Sequence, residues 1–171
     1  IDIKKKIIND LEERVSEKTI IASNTSAIPI TQLAKNTKNP ERIIGMHYFS
    51  PVPKMPLIEI IPHQANTDKV IATALSVAVK QGKTPVIVKD VPGFFVNRCL
   101  APYMSEALHI LCEGYNASEI DNIMTSRGFP VGPFTLMDEV GLDICSKVNE
   151  MLKDDLNGRI QEPKIDVTGI L

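Results

Sequence analysis

At Asp90-Val91-Pro92-Gly93 the chain changes its periodicity, and that change constrains the fold more than any other feature. Upstream, short β-branched runs alternate with helical patterns. Downstream, only helical spacing remains. Residues 3–18 place Ile3, Ile7, Ile8, Leu11 and Val15 between charged residues, which predicts an amphipathic helix with one buried stripe. Thr19–Ser23, Ile43–Phe49, Leu57–Ile61 and Thr84–Lys89 read as strands. Helices are expected over Ile30–Thr37 and over 67–81, the second stopped by Gly82. Pro51, Pro53 and Pro56 force a turn between the second and third strands, because none can donate a ladder hydrogen bond. After Gly93 come a helix over 94–112, with Leu100, Met104, Leu108 and Leu111 on one stripe, and a helix Ala117–Ser126 capped by Ser118. Gly128-Phe129-Pro130-Val131-Gly132-Pro133-Phe134 then leads into helices over roughly 134–153. The chain is α/β up to about residue 92 and all-α after it. Residues 157–171 lack periodicity and carry Pro163, so a poorly ordered tail is expected.

Composition closes off several classes of function. An apolar fraction of 43% over 171 residues is enough for a real core, which excludes wholesale disorder. A formal net charge of −2 gives no overall electrostatic footprint for nucleic acid and does not favour an anionic membrane as a default partner. No run of 18 apolar residues exists. Cys99, Cys112 and Cys145 contain no CxxC and read as thiols of a reducing compartment. His47, His63 and His109 have no metal-site spacing, so no metal is expected. The nine glycines contain no Gly-x-Gly, hence no dinucleotide or phosphate loop. The opening Ile1-Asp2-Ile3-Lys4-Lys5-Lys6 has neither an initiator Met nor a signal core, and reads as the middle of something longer.

Four positions stand out chemically. His47 and Glu59 lie mid-strand in consecutive strands, equally far from Pro53, so a hairpin folded there sets them opposite each other. A carboxylate on one ring nitrogen fixes the tautomer and leaves the other nitrogen to take a proton. The competing reading is a core histidine bonded to a backbone carbonyl, with Glu59 reaching solvent. Ser26 follows the first strand, at the end where open α/β sheets bind ligands, and is either a substrate contact or a local helix cap. A Ser26/His47/Glu59 hydrolase is the weaker alternative, since no Gly-x-Ser-x-Gly elbow is present. Asn97 stands on an otherwise apolar helix face, and is either a ligand contact or a partner for neighbouring backbone; Arg98 reads as an ion-pair partner. Lys4-Lys5-Lys6 is a solvated helix face from which one lysine could reach a phosphate or ribose.

Ser23-Asn24-Thr25-Ser26, Gly45-Met46-His47-Tyr48-Phe49-Ser50-Pro51-Val52, Leu57-Ile58-Glu59-Ile60-Ile61 and Asp90-Val91-Pro92-Gly93-Phe94-Phe95-Val96-Asn97-Arg98 together resemble the L-3-hydroxyacyl-CoA dehydrogenase family in wording, order and spacing. Gly128–Pro133 and Asp138-Glu139-Val140-Gly141-Leu142-Asp143 resemble the start of that family's helical domain. The resemblance covers about residues 1–155 and is closest to the dehydrogenase part of multifunctional β-oxidation enzymes, mitochondrial ones in particular.

The resemblance implies the following. His47 is the base that takes the C3 hydroxyl proton while hydride leaves for NAD, and Glu59 is its carboxylate partner. Ser26 and Asn97 bind substrate, while Lys4, Asn24 and Ser50 contact the cofactor, Ser50 standing where many relatives have Asn. Residues 1–92 form the C-terminal part of a Rossmann NAD-binding domain, and 93–156 the first helices of a 6-phosphogluconate-dehydrogenase-like helical domain. The family's opening strand, Gly-x-Gly-x-x-Gly and acidic ribose ligand are not in the sequence, so an N-terminally truncated piece with little or no activity of its own is expected. The implied reaction turns (3S)-3-hydroxyacyl-CoA and NAD into 3-oxoacyl-CoA and NADH, in an oligomer formed through the helical domain. Membrane association would come only through a parent complex. The implied compartment is the mitochondrial matrix, with a peroxisome or the bacterial cytoplasm as alternatives. A truncated module that pairs with intact subunits without catalysis is the competing function.

Overall fold

The computed structural model describes residues 1–153, 155 and 156. The tail expected over 157–171 lies outside the described residues. The chain divides into two compact units, Ile1–Phe95 and a second that begins at Val96.

The first unit holds helix α1 (Asp2–Arg14), strand β1 (Ile21–Ser23), helix α2 (Ile30–Ala34), strands β2 (Ile43–Tyr48) and β3 (Leu57–Ile61), helix α3 (Asp68–Lys80) and strand β4 (Thr84–Ile87). The strands lie in sequence order. β1 pairs with β2 in parallel, β2 with β3 antiparallel, and β3 with β4 in parallel. The proline-rich segment turns the chain as expected. Ile43 and Ile61 face one side of the sheet, packed with Ile8, Ile21, Ile30, Leu33 and Phe94. Ile44, Met46, Ile58 and Ile60 face the other, packed with Val70, Ala74 and Ala78 of α3. Central strands covered on both faces read as near-continuous apolar runs, and β2 and β3 do so apart from His47 and Glu59. Fully burying one such isoleucine stabilises the fold by about 1.5–3 kcal/mol. Gly45 is required here, because a Cβ would lie 2.8 Å from both Ile30 Cδ1 and Ile61 Cβ.

Helix α1 departs from the expected stripe. Ile3 is 77% and Ile7 51% exposed, while Ile8 and Glu12 are the buried pair. These two lie one turn apart, so the helix turns a mixed face inward. Glu12 accepts the Lys38 and Asn39 N–H groups, each at 2.9 Å, and faces the buried Arg42 guanidinium at 3.7 Å. Burial raises the Glu12 carboxyl, but those two N–H donors, the Asn39 side chain and Arg42 outweigh it and hold the carboxyl below its usual value. The inward face of α1 is thus shared by Ile8, packed in the core, and by Glu12, bonded to the Lys38 and Asn39 N–H groups.

Several ends also shift. α1 stops at Arg14, where Val15 turns extended, rather than at 18. α2 stops at Ala34 rather than Thr37, whose hydroxyl donates to the Ala34 carbonyl.

The elements among the described residues of the second unit are all helices: α4 (Val96–Cys112), α5 (Ala117–Ser126), α6 (Pro133–Val140) and α7 (Leu142–Lys153). Ala107, Leu111, Ile120, Phe134 and Met137 form its core, with Met104 and Leu108 packed against it. Tyr103 stacks on Phe129 with centroids 5.2 Å apart. Arg98 pairs with Asp155, as its position predicted. The cap of α5 is Asn116, whose side-chain oxygen Oδ1 accepts the Ser118 N–H; Ser118 is not the cap. α4 begins two residues later than expected, because Gly93 and Phe94 both take left-handed backbone.

Candidate active site

The antiparallel pairing of β2 and β3 sets His47 directly opposite Glu59. Their side chains meet on the face that carries Ile43 and Ile61, and His47 Nδ1 lies 2.6 Å from Glu59 Oε2. His47 is 7% exposed and Glu59 is fully buried. An ionised carboxylate is acceptor-only, so Nδ1 carries the proton and donates it to Oε2. Nε2 is then the basic nitrogen. It has no hydrogen-bond partner among the described residues. Phe49 and Phe94 flank the imidazole, with centroids 4.5 and 6.0 Å away. The alternative of a core histidine bonded to a backbone carbonyl does not describe His47. It does describe His63, whose Nε2 lies 3.0 Å from the carbonyls of Pro40 and Ile43.

Glu59 is fixed from a second side. Its Oε1 accepts the backbone N–H of Phe95 at 3.0 Å. Phe94, buried at 2% exposure, has φ 51°. Left-handed backbone costs a non-glycine residue about 1–2 kcal/mol. The turn is held by Gly93 N–H to the Ala27 carbonyl at 3.2 Å and by Phe94 N–H to the Val91 carbonyl at 3.0 Å. Sequence reasoning missed Phe95, because its contribution is a main-chain group and carries no residue-type signal.

The remaining candidates are distributed as follows. Asn24 follows β1, and its carbonyl oxygen accepts the Tyr48 N–H at 2.9 Å, joining the ends of β1 and β2. Ser26 is exposed in the loop between β1 and α2 and does not cap α2. That role belongs to Asp90, sixty residues away, whose carboxylate accepts Ile30 N–H at 2.6 Å and Thr31 N–H at 2.7 Å. Ser50 is exposed just beyond β2, and Lys4 is exposed on the first turn of α1. Asn97 belongs to the second unit, on the first turn of α4. Among the described residues no three His, Cys, Asp or Glu side chains could hold a metal ion. Burial, followed by the charge of Asp143, pushes the Cys145 thiol up, away from nucleophilic use. No helix among the described residues is long and apolar enough to cross a membrane.

Comparison with known proteins gives this arrangement a context. Residues 1–91 match the family model described as 3-hydroxyacyl-CoA dehydrogenase, NAD binding domain. Residues 93–168 match 3-hydroxyacyl-CoA dehydrogenase, C-terminal domain. The second match runs past residue 155, where the recognised motifs stop. The chain is 53% identical over 164 residues to the fatty acid oxidation complex subunit alpha of Idiomarina loihiensis, covering 96% of this chain and 23% of that protein. It is 48% identical over 165 residues to the same subunit of Vibrio parahaemolyticus, covering 96% of this chain and 24% of that protein. The chain thus spans about a quarter of the length of these curated relatives. The solved (S)-3-hydroxybutyryl-CoA dehydrogenase of Ralstonia eutropha superposes with a TM-score of 0.88 at 40% identity, over 95% of this chain and 58% of that one. The 3-hydroxybutyryl-CoA dehydrogenase of Escherichia coli K12 gives a TM-score of 0.86 at 35% identity, over 95% and 35%. These relatives are bacterial and give no support to a mitochondrial placement.

Proposed function

The chain belongs to the 3-hydroxyacyl-CoA dehydrogenase family, and on that premise we propose that His47 and Glu59 are the proton-transfer pair of an NAD-dependent oxidation of (3S)-3-hydroxyacyl-CoA. The observation that carries the reading is the buried 2.6 Å contact between Nδ1 and Oε2. His47 Nε2 takes the proton of the C3 hydroxyl as the C3–H bond breaks, and Glu59 stabilises the imidazolium that forms. Ser26 and Asn97 hold the substrate. NAD, when bound, supplies the hydride acceptor. Asn24 uses its carbonyl on the Tyr48 N–H, which leaves its amide N–H groups for an acceptor such as a carboxamide oxygen. That donor set fits the nicotinamide end of the cofactor, with Ser50 and Lys4 as further contacts. The pyrophosphate cradle is not among these 171 residues, which hold no Gly-x-Gly.

The domain assignment we favour is 1–92 for cofactor binding and 93–156 for the helical part, supported by the extents of the two family matches. Association through the helical unit is supported by the exposed Ile123, Leu142 and Ile144. The relatives favour the bacterial cytoplasm and a place in a multifunctional β-oxidation protein. Membrane association comes only through that larger complex.

The test is a chimera in which residues 1–156 replace the matching span of the Idiomarina loihiensis subunit. NADH consumption with acetoacetyl-CoA is expected for the chimera and to be at background for the 171-residue chain. His47→Gln in the chimera should lower the rate by about 10²–10⁴-fold, the usual contribution of a general base. A folded but inactive chimera would overturn the reading and favour a non-catalytic pairing module. Full activity of the His47→Gln chimera would remove His47 from the chemistry.

A further inference from the structure

Among the contacts of the buried Glu59 carboxylate are one to His47 and one to the main chain of Phe95, and the second points to a positioning element that the dyad alone does not explain. One oxygen faces His47 Nδ1 at 2.6 Å and the other takes the Phe95 N–H at 3.0 Å. The Phe95 N–H comes from the segment that leaves the first unit, where Gly93 and Phe94 stand consecutively in left-handed backbone. A left-handed glycine in a turn is ordinary. A left-handed phenylalanine is not, and it persists only where the surroundings over-determine it. Here they do. The Phe94 ring is buried in the cluster of Ile21, Ile30, Ile43 and Ile61, and its N–H is bonded to the Val91 carbonyl. The side chain of Phe95 is 58% exposed, so its main chain, not its ring, is what the site uses.

We infer that the Phe94-Phe95 turn is a positioning element for the dyad: the buried Phe94 ring, locked in left-handed backbone, aims the Phe95 N–H at Glu59 Oε1 and thereby dictates which face of Glu59 meets His47. Phe94 and Phe95 are positioning residues. This inference rests on the dyad reading above, but its consequence is a tautomer and not a rate. An N–H donor held on one side of residue 59 demands an acceptor there. Glutamate satisfies that donor and accepts from His47 Nδ1–H as well, because both its oxygens accept. Glutamine has one acceptor and one donor group. With the Phe95 N–H fixed, the glutamine oxygen must turn to Phe95 and its NH₂ group to His47. Nδ1 must then accept, so the imidazole proton moves to Nε2, and the nitrogen needed as base is blocked. A fixed partner imposing the wrong tautomer in this way is a recognised route to loss of catalysis in other enzymes.

The experiment is ¹⁵N NMR of the His47 ring in the 171-residue chain and three variants. The unmodified chain should show the Nδ1–H tautomer. A different tautomer there would sink the dyad reading itself, separately from the inference. Glu59→Gln should switch His47 to Nε2–H. Retention of Nδ1–H in Glu59→Gln would overturn the positioning role, because the glutamine oxygen would then be free to face His47. Adding Phe95→Pro, which deletes the N–H, should return Glu59→Gln toward Nδ1–H; adding Phe95→Ala, which keeps it, should leave the switch in place. Equal behaviour of those two double variants overturns the inference. If the proline variant does not fold, Phe94→Ala in the Glu59→Gln background takes its place: removing the buried ring that holds the turn should return the spectrum toward Nδ1–H, and an unchanged Nε2–H spectrum overturns the inference. A purely structural role for the turn would lower stability in these variants without moving the tautomer.

Discussion

Each unit of the molecule contains a short helix that begins Pro-apolar-Thr and has no cap of its own. α2 is preceded by Pro29 and opens with Ile30-Thr31; α6 opens with Pro133-Phe134-Thr135. In both, an aspartate from elsewhere accepts two successive backbone N–H groups and the threonine hydroxyl. Asp90 takes Ile30 N–H, Thr31 N–H and Thr31 Oγ1–H at 2.6, 2.7 and 2.5 Å. Asp121 takes Phe134 N–H, Thr135 N–H and Thr135 Oγ1–H at 2.9, 2.9 and 2.6 Å. The carboxylate satisfies donors that a helix start leaves open and meets the positive end of the helix dipole.

The two caps differ in reach and in clearance. Asp121 lies only 13 residues before Phe134, so its cap forms within the α5–α6 pair. Asp90 lies 60 residues after Ile30 and reaches it only once β4 has joined the sheet. The five-residue α2 is therefore a product of tertiary assembly, since a helix so short has no stability of its own. Clearance favours the opposite helix. A Cβ on Gly132 would lie 2.2 Å from Asp121 Cγ, so the Asp121 cap tolerates no side chain at the N-cap of α6.

The largest effect that would break this comparison is expected from Gly132→Ala. The added methyl must displace Asp121, combining overpacking with loss of the cap, for about 2–4 kcal/mol in a urea melt. A loss under about 0.5 kcal/mol would mean that the carboxylate moves aside freely and that the cap is not tight. Next come Asp90→Ala and Asp121→Ala, each expected to cost about 0.5–2 kcal/mol, the usual range for a lost cap. Amide hydrogen exchange tells them apart: Asp90→Ala should expose the amides of α2, and Asp121→Ala those of α6. Equal loss of protection in both helices from either change would show that the caps do not act locally.

The smallest effect is on pH dependence. Burial raises the Asp121 carboxyl, but the Thr135 hydroxyl and the Phe134 and Thr135 N–H groups outweigh it, so the carboxyl is held below its usual value. A carboxyl depressed in the folded state contributes stability that is full above its unfolded value of about 3.9 and is lost as pH falls through the folded one. Melts from neutral pH down through about pH 4 and below should therefore fall less steeply for Asp121→Asn than for the unmodified chain. Parallel slopes would contradict the charge-dependent cap.

How much of this was legible depended on whether the signal was local. The His47–Glu59 pairing could be read because three prolines placed the turn and a two-residue strand period placed the partners. The rotation of α1 could not, since counting isoleucines predicts that Ile3 and Ile7 face inward. Glu12 meets the Lys38 and Asn39 N–H groups, and those donors lie 26 and 27 residues away. The cap assigned to Ser118 went to Asn116, two residues earlier, where residue types alone allow either.

The order of the elements, the change from α/β to all-α near residue 92, the opposition of His47 and Glu59, and the family were all legible in the linear chain. All of these follow from periodicity and from residue types at fixed spacing, which are properties of a linear string. It takes the packed molecule to show that Asp90 starts α2, that Glu12 turns inward, and that the Phe95 N–H grips Glu59. Each of these is a backbone donor satisfied by a distant acceptor, or a carboxylate oriented by one. Every residue but proline carries that donor, so no residue letter announces which one will be used.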